Sequence, residues 1–144
     1  SSVIPFGEEY KINKLRHDVV DKVATGNVQN CDKIDDERFR NICIDNINMT
    51  KARETGDISV CSKSTGTIME VDTCVLQNSI SQALEKEDVS ICDMAGKESL
   101  INECQKTYFT EIALIKNNIK LCDNAGSNDQ KMSCRDYVSS GGKI

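Results

Sequence analysis

Eight cysteines, Cys31, Cys43, Cys61, Cys74, Cys92, Cys104, Cys122 and Cys134, are the residues of this chain best suited to chemistry. Zinc ligation, redox exchange, disulfide formation and burial as free thiols are the alternatives. A structural zinc site draws on closely spaced ligands such as C-x-x-C, whereas the nearest cysteines here are 12 positions apart and His17 is the single histidine. Catalytic thiol exchange also favours a C-x-x-C pair and has no use for four copies. An even count arranged as four equivalent pairs fits an oxidised framework. No metal and no other cofactor is expected.

The spacing also selects the pairing. Successive separations are 12, 18, 13, 18, 12, 18 and 12. Segments free of Pro and Gly over 36–55, 67–87 and 97–117 contain the second cysteine of the first three pairs, so a Cys43 to Cys61 bridge would join the first half of a long helix to the short turn beyond its far end. From Cys43 to Thr55 the rise is roughly 18 Å, at about 1.5 Å per residue, well beyond the roughly 4.4 to 6.8 Å between the Cα atoms of a disulfide. The expected bridges are therefore Cys31 to Cys43, Cys61 to Cys74, Cys92 to Cys104 and Cys122 to Cys134. Each would fasten a short helical turn to the start of the long helix after it.

The elements that must hold these pairs repeat with the same period of 30 or 31 residues, as in proteins built from stacked supersecondary units. Four residues before each first cysteine stands Asn27, Asp57, Asp88 or Asn118, a residue whose side chain can accept from free helical amides, so a short helix should start there. Gly66, Gly96 and Gly126 are expected to end the short helices. The extra residue of the second pair is placed in its turn, before Gly66. Long helices are expected over 36–55, 67–87 and 97–117, with a truncated one over 128–139. In the third, Leu100, Ile101, Cys104, Tyr108, Ile112 and Ile115 make one apolar stripe at three- and four-residue steps. Ala52, Ala83 and Ala113, nine residues after their cysteines, allow a neighbouring backbone to come close.

The predicted fold is all-α: a short α-solenoid or helical array of about 30-residue helix-turn-helix repeats, each stapled by a disulfide. One domain is expected over 1–144, comprising a cap helix at 8–26, repeats at 27–56, 57–87 and 88–117, and a truncated repeat at 118–144. The periodicity resembles that of tetratricopeptide-type solenoids, but those repeat at about 34 residues with aromatic consensus positions that this chain lacks. No binding residue is carried over from them.

Composition narrows the function. Eighteen basic against 23 acidic residues give a formal charge of -5, which argues against nucleic acid or anionic lipid as the main partner. The acidic excess lies in residues 31–60 and 61–91, and solubility explains it. No stretch has the roughly 20 apolar residues of a membrane span. There is no G-x-S-x-G elbow, P-loop, H-E-x-x-H or complete EF-hand pattern, so no enzyme is expected. His17 reads as a residue at a helix edge. The run Asp35-Asp36-Glu37 reads as an acidic first helical turn favoured by the helix dipole.

Stable disulfides place the chain in an oxidising space, extracellular, cell-surface or periplasmic. Residues 1–7 do not form a signal peptide, and a mature form is expected. Asn48-Met49-Thr50 is a glycosylation sequon within a predicted helix, which makes Asn48 a candidate for modification. Val3, Ile4 and Phe6 form an apolar tail that must cover an end of its own stack or dock elsewhere. The functional expectation is a structural protein working through protein contacts, a filament or surface-layer subunit binding copies of itself. A monomeric extracellular binding module for a protein or peptide ligand is the alternative.

Overall fold

A computed structural model describes residues 6–143, with side chains from Gly7 onward. The chain divides into two compact units, Ser1–Val71 and Asp72–Ile144. The first holds helix α1 (Phe6–Ala24), the short 3-10 helix η1 (Val28–Lys33), α2 (Glu37–Thr55) and η2 (Ile58–Lys63). The second holds α3 (Val71–Lys86), whose first residue belongs to the first unit, then η3 (Val89–Ala95), α4 (Glu98–Ile115), η4 (Ile119–Asn124) and α5 (Asn128–Ser139). No strand occurs among the described residues, and none of their helices is long and apolar enough to cross a membrane. The all-helical array with a period of about 30 residues is thus the observed fold.

Every short helix starts at the expected cap. Asn27, Asp57, Asp88 and Asn118 accept from the backbone amides of Gln29, Ser59, Ser90 and Lys120 at 3.0 to 3.1 Å, satisfying donors that have no partner within the helix. The residue before each cap carries a positive φ: 66° at Gly26, 72° at Gly56, 50° at Glu87 and 48° at Asn117. At Glu87 and Asn117 this left-handed residue closes the preceding long helix with two bonds. Asp88 N–H donates to the Ala83 carbonyl and Glu87 N–H to Leu84; Asn118 N–H donates to Ala113 and Asn117 N–H to Leu114. One backbone device therefore ends each long helix and aims the chain into the next short one.

A side chain at Gly26 would meet nothing within 4 Å, so only the backbone opposes it. Gly26→Ala is expected to cost roughly 1 to 2 kcal/mol, the penalty of a β-carbon in the left-handed region. Urea unfolding would measure it, and an unchanged midpoint would contradict the assignment.

The cores are built from the same register positions. In the first unit Cys31, Cys43, Ile34, Ile47 and Val19 cluster together. In the second, Ala83 packs with Cys92, Cys104, Tyr108 and Ile112, and Ala113 with Cys122, Cys134, Ala125 and Val138. Three residues after the first cysteine, a buried apolar side chain recurs as Ile34, Ala95 and Ala125. Repeat two has Ser64 there, and its Oγ is buried with no hydrogen-bond partner. Ser64→Ala is expected to raise stability by about 1 kcal/mol, because an unsatisfied buried hydroxyl is removed at little cost in shape. A lower thermal midpoint for the variant would refute this.

Helix ends differ from expectation at three places. Gly96 does cap η3, but η2 ends at Lys63 with Ser64 as its cap, and η4 ends at Asn124 with Ala125 as its cap. Gly66 lies in the following loop with φ 84°. At Gly126 a β-carbon would collide with Gln130 Oε1, which is engaged in the capping box between Ser127 and Gln130. Helix α3 begins at Val71, four residues later than its pattern predicts. Helices α2, α4 and α5 all start six residues before their cysteine, whereas α3 starts only three before Cys74.

Candidate functional site

The oxidised pairs follow from the placement of each short helix. Cys31 bonds Cys43, Cys92 bonds Cys104 and Cys122 bonds Cys134, with Cα separations of 5.8, 5.6 and 5.5 Å. Cys61 and Cys74 are disulfide-bonded as well, and no cysteine is free. All eight are at most 1% exposed. Buried sulfurs without a thiolate are unavailable for nucleophilic or redox turnover, so the bridges are structural.

The late start of α3 is explained by a residue that spacing did not single out. Asp45, fully buried on α2, accepts from the backbone amides of Thr65 at 2.6 Å, Thr67 at 2.9 Å and Ile68 at 3.2 Å, and from the Thr65 hydroxyl at 2.9 Å. Amides that would open one more turn of α3 are directed onto this carboxylate instead. The loop from 64 to 70 is thereby folded back on α2. At the matching position, two after the second cysteine, the other repeats carry Leu76, Lys106 and Asp136. Asp136 is exposed, so neither it nor the others reproduces the arrangement.

Residues marked by sequence pattern occupy mainly structural positions. Asp36 caps α2 by accepting from Phe39 N–H at 3.1 Å, and Ser127 caps α5. His17 is exposed on α1. Val3 and Ile4 lie outside the described residues; Phe6 opens α1 but its side chain is also outside them. Asn48 is only 4% exposed, and its side-chain nitrogen donates to the Lys63 carbonyl at 3.3 Å. Glycan transfer would require that nitrogen in the open. Expressed in a glycosylating host, the folded chain is expected to carry no glycan at Asn48, and intact-mass measurement of an occupied, folded species would contradict this.

A groove of about 560 Å³ runs between α4 and α5. Glu103, Glu111, Asp129 and Asp136 face it, against a single cation, Lys106, which pairs with Glu103 at 2.9 Å. The Glu111 carboxylate beside Tyr137 pushes its phenol above the ordinary value of 10.0. Hydrogen bonds from Ser90, first through its hydroxyl and then through its amide, hold Asp88 below the ordinary 3.8. That shift belongs to a helix cap. No group of three or more His, Cys, Asp or Glu among the described residues is placed to hold a metal ion. Comparison with family models, characterised proteins and solved structures finds no match.

Proposed function

We propose that the protein is a non-enzymatic component of the cell exterior, secreted or surface-borne, that works through protein contacts as a self-assembling subunit of a filament or surface layer. Complete oxidation of eight cysteines supports an oxidising location. The observation that carries the assembly reading is the exposure of large apolar side chains in the second unit, where Met94, Ile115 and Met132 are 60%, 65% and 59% exposed. Val3, Ile4 and Phe6 fall in a segment of the sequence without charged residues. A heterologous contact needs two different surfaces, and such a contact propagates into rings or filaments.

Light scattering on the oxidised protein, with and without residues 1–7, is the test. Concentration-dependent growth that disappears with the deletion is expected. A monomer in both cases would end the assembly reading and leave the monomeric binding module.

A further inference from the structure

Helix α1 carries two lines of residues with different surroundings. Leu15, Val19 and Val23 pack on the core of the first unit. A second line, Tyr10, Asn13, His17, Val20 and Ala24, recurs at steps of three, four, three and four residues. At about 100° of turn per residue it is rotated roughly 140° away from the core side. All five of its residues are exposed, Tyr10 by 66% and Val20 by 67%. Steps that alternate between three and four average about 3.5 residues, the spacing that keeps a seam turned toward a second helix over several turns.

The flanks of this line carry charges in a definite order. With Tyr10, His17 and Ala24 at position a of a heptad and Asn13 and Val20 at position d, Glu9 and Arg16 take position g while Lys14 and Asp21 take position e. In two parallel helices a g residue of one chain meets the e residue that follows it in the other, and the charges there set partner and orientation. The two pairs so formed are Glu9 with Lys14 and Arg16 with Asp21, opposite in sign both times. All four residues are exposed, and none forms an ion pair among the described residues. A copy of the same helix supplies every complementary charge.

We propose that the outer line of α1 is a dimerisation surface whose occupant is α1 of a second copy, laid parallel about a twofold axis. Tyr10, Val20 and Ala24 supply the apolar contact. Asn13 and His17 stand at seam positions where polar side chains fix the register and weaken the association. A twofold contact of this kind closes on itself. It therefore goes beyond the propagating contact of a filament or surface layer, and neither contact requires the other.

Sedimentation equilibrium of the full oxidised chain over a concentration series is the test, with circular dichroism to check that each variant is folded. A reversible monomer–dimer equilibrium is expected. Val20→Glu, at an exposed position that packing does not use, should weaken the dimer at least about tenfold, and His17→Leu should tighten it about tenfold. Arg16→Glu and Asp21→Arg should each weaken it about tenfold when alone, because each sets like charges across the seam twice. Mixing these two single variants in equal amounts should restore dimerisation, since each chain then meets an opposite charge at both places. A monomer throughout the series, a dimer indifferent to Val20→Glu, or a mixture no stronger than its components would overturn the proposal. Larger species that persist unchanged in Val20→Glu would also overturn it while leaving the assembly reading intact. A dimer lost in Val20→Glu with no larger species at any concentration would uphold the pairing and count against the filament.

Discussion

Reduction of the disulfides under non-denaturing conditions is expected to unfold the chain, with loss of the helical circular dichroism signal at 25 °C. The bridges from Cys31, Cys92 and Cys122 have a sequence separation of 12, the remaining pair is spaced by 13, and each restrains the unfolded chain by about 3 kcal/mol in the loop-entropy account. Four such restraints amount to roughly 12 kcal/mol, comparable to the whole stability of an ordinary domain at about 5 to 15 kcal/mol. The cores they cross-link are thin: the sequence has no Trp, three Phe and three Tyr. Six of the bonded cysteines belong to these clusters. Removing one bridge, as in the double variant Cys92→Ala, Cys104→Ala, should cost about 3 kcal/mol and leave a folded protein. A reduced chain that retains its helical signal and cooperative melting would show that packing alone suffices.

The second large effect is expected at Asp45. Asp45→Ala removes the acceptor of three amides and one hydroxyl at once, and each buried donor left without a partner costs about 1 to 3 kcal/mol. Water can reach Thr65, Thr67 and Ile68, which are exposed residues, so the lower end applies and a total of about 3 to 4 kcal/mol is expected. Asp45→Asn keeps one acceptor oxygen but turns an amino group toward backbone donors, so it should restore only part of the loss. Hydrogen exchange provides the local readout. Protection of the Thr65, Thr67 and Ile68 amides should fall while that of α4 and α5 stays unchanged, and a cost below about 1 kcal/mol for the alanine variant would refute the role.

Local rules made much of this architecture legible. Cap residues, cysteine spacing and the Pro- and Gly-free segments act within a few positions, and the caps at Asn27, Asp57, Asp88 and Asn118 appear where those rules place them. Asp45 was opaque because its partners lie 20 to 23 residues away, in a loop whose course depends on that same carboxylate. The extra residue of the second pair was visible in the spacing, but the loss of a helical turn to accommodate the clasp was not. Glu87 and Asn117 were missed for a different reason. Glycine signals a left-handed closure at Gly26 and Gly56, whereas Glu87 adopts the same conformation against its intrinsic preference, held by the helix-closing bonds around it.

The short sequence reach of the bridges also bears on how the chain acquires its structure. A cysteine that finds its partner 12 residues later can do so as soon as that stretch has emerged from a ribosome or translocation channel, with no need to wait for the distant end of the polypeptide. Loop closure over so few residues is fast compared with the chemistry of oxidation, and the nearest thiol in order of appearance is the native one. Vectorial emergence therefore favours correct pairing one repeat at a time, and little reshuffling by an isomerase is required.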